Sequence, residues 1–223
     1  MCGRYAIATV DGFSDRFHLA RLPLDFSPHF NVAPGQRMPV VVAEGDGNAA
    51  ELMKWGLIPS WAKDPKIGYR TINARAEGLA DKPSFRGPFK RQRCLVPATG
   101  FYEWRKDGSA KTPYFIRRAD GGLFGFAGLW DRWQDPHGDE VRSYSIVTTK
   151  PNELVAPIHN RMPAILRPED EEDWLDPDNH DTAFLARLLG PYPAEAMEAY
   201  PVSTEVNKVE NAGEALIAPV NSA

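Results

Sequence analysis

The chain begins MCGRYA, with a cysteine directly behind the initiator methionine. Removal of Met1, which a small second residue permits, would leave Cys2 with an α-amine and a thiol on one residue. The amine has a reference pKa of about 7.7–8.0, so part of it is neutral near pH 7. A neutral amine attacks an aldehyde to form a Schiff base. The neighbouring thiol can then close onto the same carbon and give a five-membered thiazolidine ring. Both nucleophiles belong to one residue, so closure is intramolecular, with an effective concentration of about 10⁵ M or more in favourable cases. The other reading of Cys2 is a small buried hydrophobe, which would bring a charged terminus out of water at a cost.

Three further stretches carry groups suited to chemistry. In TINARAEG, Asn73 and Arg75 alternate along an extended run and so face one side. Asparagine offers a donor and an acceptor to orient a reactant, and arginine suits a phosphate; a structural turn is the competing reading. In ATGFYEWRK, Glu103 sits between Tyr102 and Trp104. Its charge is either disfavoured by the aromatics or paired with an amine, and both states suit proton transfer. Alternatively it faces outward and pairs with Arg105 or Lys106. In VAPIHNRMPAI, His159 is either a proton-transfer group or a structural histidine, and Arg161 is a candidate phosphate contact. No His, Cys or acidic pair shows metal-ligand spacing and no phosphate-cradling glycine loop appears, so neither metal nor cofactor is expected. Cys94, in RCLVPA, reads as a buried strand residue.

The elements that must position these groups are short. A chain of 223 residues, 43% hydrophobic, suits one domain or two tightly joined lobes, and 20 prolines with 18 glycines make long helices unfavourable. TVDGFSDRFHLARL reads as a short amphipathic helix capped by Asp or Ser. MPVVVAEG and AAELMKWGL read as a hairpin around EGDGN. The proline- and glycine-punctuated run WGLIPSWAKDPKIGYRTINARAEG reads as a long ordered loop, and KPSFRGPFKRQ as loop or broken helix. RCLVPATGFYEW, TPYFIRR, LFGFAGLW and VRSYSIVTT read as strands. PNELVAPIHNRMPAIL runs from a helical turn through an irregular centre to a strand. PEDEEDWL and TAFLARLLG read as short helices, EAMEAYPVS and EALIAPV as closing strands. The whole is an α+β chain with its sheet curled towards a barrel.

Net charge is −4, yet the segment 54–118 holds 15 Lys/Arg against 5 Asp/Glu. A basic block on an acidic background can guide a polyanion, or be an ordinary solvated face. Aromatics run through it, and basic groups with stacking faces are what a single-stranded nucleic acid groove needs; Trp61, in IPSWAKDP, is the one expected outside. No apolar stretch approaches a membrane span and no signal-peptide pattern opens the chain. Two cysteines make no disulfide framework, so the reducing cytoplasm is expected.

Taken together, MCGRYA, FNVAPGQ, WGLIPSWAKD, INARAE, RCLVPATGFYEW, PYFI, FAGLW, SIVTTKPN, IHNRMPAIL and PVSTEVNKVENAGEALI resemble the SRAP family of SOS-response-associated peptidases, or abasic-site processing proteins, over essentially the whole chain. The resemblance implies one domain, 1–223, with a barrel-like mixed or antiparallel β core, short peripheral helices and a basic face for single-stranded DNA. It implies a monomer, cytoplasmic and nucleoid-associated when on DNA, whose mature cysteine captures an abasic-site aldehyde as a thiazolidine. The family's reactive positions fall on Cys2, Asn73, Glu103 and His159. Its DNA contacts fall on Arg4, Pro34, Trp61, Arg75, Trp104 and Arg161, although some relatives have a second tryptophan next to the position of Trp61. The implied division of labour gives His159 the protons of sugar-ring opening and of cross-link reversal, Glu103 the amine, and Asn73 the thiol or sugar oxygen. Self-removal of Met1 is a related expectation. Two rivals stand beside this: an amino-terminal-nucleophile amidohydrolase, which would attack an amide, and a single-strand-binding module without chemistry.

Overall fold

The computed structural model describes residues 2–21 and 26–220. In chain order the strands are β1 (Arg4–Ile7), β2 (Leu19–Arg21), β3 (His29–Val32), β4 (Arg37–Glu44), β5 (Gly47–Trp55), β6 (Asn73–Arg75), β7 (Arg93–Ala98), β8 (Gly100–Asp107), β9 (Ala110–Arg118), β10 (Phe124–Gln134), β11 (Glu140–Thr149), β12 (Met162–Pro163) and β13 (Met197–Pro201). The α-helices are α1 (Phe13–Arg16), α2 (Arg86–Arg91), α3 (Glu171–Leu175) and α4 (Thr182–Arg187). None of the helices is long and apolar enough to cross a membrane.

Two sheets organise these elements. In the larger, β11, β10, β7, β4 and β5 pair in sequence, and β5 returns to β11 in a parallel pairing that closes a five-stranded mixed barrel. The smaller runs β13-β9-β8-β1-β3. Closure leaves no free edge in the barrel wall. β11 is the hub, pairing with β10 and β5 in the wall and with β6 and β12 beyond it.

Tight turns set the register. The hairpin around EGDGN closes with Glu44 opposite Gly47, and Gly45, at φ 60, takes the left-handed turn position that a residue with Cβ disfavours. The β8–β9 hairpin closes in the same way, Asp107 opposite Ala110, with Gly108 at φ 61.

Two expectations are corrected. The helix expected across TVDGFSDRFHLARL is a single turn, α1, with left-handed Gly12 before it and no side-chain cap. His18, at φ 51, leads the chain out of it, and Leu19–Arg21 pairs parallel with β5; Leu22 lies outside the described residues. Sheet pairing has overridden a weak helical preference. EALIAPV is not a closing strand either. Residues Glu214–Ile217 form a 3₁₀ turn, and only a bridge between Val202 and Pro219 follows.

The alternation of β1 couples the amino-terminal segment to both sheets. Tyr5 points into the barrel, where its ring lies edge-on to Trp55 at 5.2 Å and its hydroxyl pairs with the Tyr144 hydroxyl at 2.7 Å. Arg4 points the other way. Its guanidinium donates to Asn31 Oδ1 at 2.7 Å and to the carbonyls of Val206 and Asn207. The residues just ahead of Arg4 are therefore anchored by a buried aromatic on one face and a multidentate arginine on the other.

Candidate functional site

Four separate segments meet at Cys2. β1 runs antiparallel to β8 with Arg4 opposite Tyr102, which carries Gly3 and Cys2 alongside Glu103 and Trp104. β6 lies parallel to β11 with Asn73 opposite Ile146. The segment before β12 brings His159 and Arg161 back beside the end of β11. Gly56 and Gly68 make this packing possible. A Cβ on Gly56 would stand 2.7 Å from the Gly68 carbonyl oxygen, so the loop leading to Asn73 can lie against the barrel only with glycine at the crossing.

Cys2 is fully buried, its Sγ 3.7 Å from the Arg4 carbonyl. Asn73 Nδ2 donates to the Cys2 carbonyl at 2.8 Å and holds that residue by its backbone. Asn73 Oδ1 is buried with no hydrogen-bond partner among the described residues. An amide fixed at one end with its acceptor open can receive a hydrogen bond from an amine, a thiol or a hydroxyl. Burial, with the Glu103 charge adding to it, pushes the Cys2 thiol well above its ordinary value and keeps it protonated.

The Glu103 side chain is only 3% exposed. Burial pushes its carboxyl up to about 7, against the opposing pull of the chain's amino-terminal charge. His159 Nδ1 lies 3.9 Å from Glu103 Oε1, close enough for charge to be felt but beyond a hydrogen bond. The same Nδ1 is 3.1 Å from the Arg161 N–H and 3.2 Å from the Arg161 carbonyl. It can accept from one or donate to the other without rotating, so a proton can be held or released at this ring in place. Burial draws the imidazole below its ordinary value and favours the neutral form.

The sequence-derived DNA contacts are placed differently from one another. Arg75 is exposed, two residues beyond Asn73 on β6. Arg161 is forked onto Glu77, at 2.7 and 3.0 Å, and also donates to the Thr148 carbonyl. Arg4 is committed to Asn31 and the 206–207 backbone. Trp104 Nε1 donates to Asn207 Oδ1 at 2.7 Å. Pro34 lines a small cleft with Lys54, Lys66 and Tyr69, a residue 74% exposed. Trp61, 57% exposed, lines another with Arg86 and Pro88. A third cleft, open and about 440 Å³, is lined by Glu103, Trp104, Lys106, Lys111, His159 and Asn207. Each cleft combines apolar or aromatic surface with residues of the basic block. Among the described residues no group of three or more His, Cys, Asp or Glu is placed to hold a metal ion.

Sequence reading missed Asn31, Glu77, Lys111 and Asn207, and considered Lys106 only as a partner for Glu103. For the two lysines a signal was present, because the Asp107-Gly108 turn dictates which residues of the hairpin face each other. For Asn31, Glu77 and Asn207 there was none, since their partners lie far along the chain.

A family model described as SOS response associated peptidase (SRAP) matches residues 1–209. The chain is 46% identical over 221 residues to abasic site processing protein YoqW of Bacillus subtilis (strain 168), covering 97% of this chain and 99% of that protein. It is 36% identical over 227 residues to abasic site processing protein HMCES of Gallus gallus, covering 87% and 67%. A crystal structure of a Bacteroides thetaiotaomicron protein superposes with a TM-score of 0.90 at 32% identity, over 99% of this chain and 100% of that one.

Proposed function

Because the chain belongs to the SOS response associated peptidase family, we propose that it processes abasic sites in single-stranded DNA by forming a covalent thiazolidine through Cys2 once Met1 has been removed. The observation that carries this reading is the convergence of Cys2, Asn73, Glu103 and His159 from four segments. It puts a carbonyl-reactive residue beside one carboxyl and one imidazole. The name carried by YoqW and HMCES, abasic site processing protein, supports the substrate class.

The thiol is held neutral by burial and by Glu103, so the α-amine is the first nucleophile. Met1 leaves by hydrolysis, through the chain itself or through an aminopeptidase. An abasic sugar is mostly a closed hemiacetal, and His159 moves the protons that open it to the aldehyde. The amine adds to the aldehyde carbon, and the carbinolamine hydroxyl leaves as water with a proton from the Glu103 carboxyl, leaving an iminium. The thiol then gives its proton to Glu103 as sulfur adds to the same carbon. The C=N electron pair returns to nitrogen, and a neutral ring with a secondary amine remains. Water is the only by-product. Asn73 keeps the Cys2 backbone fixed while its free acceptor orients the attacking group. Reversal runs the same protons backwards through Glu103 and His159. Arg75 is the guanidinium best placed for a flanking phosphate, while a phosphate reaching Arg161 competes with Glu77. Pro34 and Trp61 offer faces for neighbouring bases.

The test mixes mature protein with a single-stranded oligomer carrying one abasic site, or none, and reads mass and denaturing mobility. A heat-stable conjugate, at the summed mass less one water and only with the lesion, is expected. Cys2→Ser should stall at a borohydride-reducible imine; a stable adduct without borohydride would overturn the ring. Ammonia release from glutamine would favour the amidohydrolase reading. Equal, denaturant-reversible retention of both oligomers would favour a binding module.

A further inference from the structure

We infer that Lys106 and Lys111, with the Asn207 side chain, form a binding site for a DNA backbone phosphate next to the lesion. This rests on the functional reading above and extends it. The two lysines stand directly opposite each other in the β8–β9 register, so their side chains leave the same face of the hairpin. Like charges directly opposite are unfavourable in a folded sheet. Here the usual relief is missing. Both lysines are exposed and have no carboxylate partner among the described residues. Asp107, the acid at the turn of the hairpin, is taken by Arg105 Nε at 3.0 Å.

The placement of the pair turns this disadvantage into a site. Both lysines line the cleft that also exposes His159 and Glu103. Lys106 is near enough to His159 to contribute to the lowering of its pKa, after burial and the amino-terminal charge. On the same wall, Trp104 Nε1 fixes the Asn207 carboxamide through its oxygen, and the Asn207 Nδ2 donors have no partner among the described residues. The two lysines and the oriented amide thus line one cleft beside the site. A single anion of phosphodiester geometry would satisfy all three and remove the lysine–lysine repulsion. Trp104 offers its ring to the same strand.

The experiment uses the double variant Lys106→Gln/Lys111→Gln. The first measurement is reversible binding of an intact single-stranded oligomer against salt, in a Cys2→Ala background. Loss of one neutralised phosphate should lower the slope of log K against log salt by about 0.7, so that between 50 and 200 mM salt the unsubstituted chain loses about 2.6-fold more affinity than the variant. A Lys106→Arg/Lys111→Arg chain should restore the slope. An unchanged slope overturns the site. The second measurement is the capture rate for an abasic oligomer whose phosphate on one side of the lesion is a neutral methylphosphonate. On one of the two sides this should slow the unsubstituted chain and leave the Gln variant no slower than with normal DNA; full slowing of both chains on both sides overturns the site. A melting temperature that holds or rises shows that the lysines do not serve the fold. Failure of the covalent reading would appear as no conjugate from either chain, while the salt measurement still decides the phosphate site.

Discussion

Asn31 and Asn73 are both buried asparagines, and they are wired in opposite ways. Asn31 accepts from Arg4 and donates to the carbonyls of Lys208 and Asn211, with Val206 at 3.4 Å. It is saturated, and it ties β3 to the carboxy-terminal segment. Asn73 makes one bond, to the Cys2 carbonyl, and keeps its oxygen open. The two cysteines repeat the contrast. Cys94 is buried in the barrel wall against Gly128, where burial alone raises its thiol. Cys2 is as buried, but lies within reach of the Glu103 charge. Asn31 spends its hydrogen-bonding capacity on the fold, while Asn73 keeps an acceptor open beside Cys2.

The largest expected effect breaks the cysteine comparison. Cys2→Ala should abolish the heat-stable conjugate in a denaturing gel. Cys94→Ala should retain it and lose about 1–2 kcal/mol of stability on denaturant unfolding. Equal behaviour of the two variants would remove the distinction.

Glu103→Gln comes next, slowing capture by about 10²–10⁴-fold as expected for loss of a proton acceptor. The same variant should change the pH dependence of stability. The Glu103 carboxyl titrates near 7 in the folded chain and near 4.3 in an unfolded one. Between these values the folded chain keeps a proton that the unfolded chain has released, so this group's contribution to stability falls as pH rises through that window. Glu103→Gln should flatten that fall, as read by melting temperature from pH 4 to 8.

The asparagines should separate in opposite directions. Asn73→Ala should slow capture about 10²-fold through misplacement of Cys2, with a stability change within about 1.5 kcal/mol. Asn31→Ala should cost about 2–4 kcal/mol, by stranding buried groups, and change the rate only a few-fold.

The smallest effect sharpens the role of Arg161. Glu77→Gln removes its competitor, and strand binding at low salt should tighten about threefold if that arginine meets phosphate. Unchanged affinity with slower capture would instead make the Glu77–Arg161 pair a device that holds His159.

Much of this was readable along the chain. The hairpin at EGDGN follows from glycine's freedom at turn positions, the strand character of GFYEW and TPYFIRR from their apolar runs, and the burial of Cys94 from an apolar strand. The chemistry proposed for Cys2 rests on its position and type. The α1 region and the 214–220 segment were misread because both lie where local preference is weak and non-local pairing decides. The wiring of Arg4 was also out of reach, since three of its bonds cross about two hundred residues or lead to Asn31.

By itself the sequence determined the reagents: one residue able to present an amine and a thiol, a carboxyl among aromatics, an imidazole, and a basic block threaded with aromatics. Residue type and short-range spacing carry that information because intrinsic reactivity and turn geometry are local properties. Only the tertiary structure decided which of these groups face one another, which arginines are already engaged, and that two lysines with no carboxylate partner among the described residues share the cleft with His159. Those outcomes depend on β11 gathering β5, β6, β10 and β12 around itself, and long-range pairing of that kind is set by the packing of the whole chain rather than by any stretch of it.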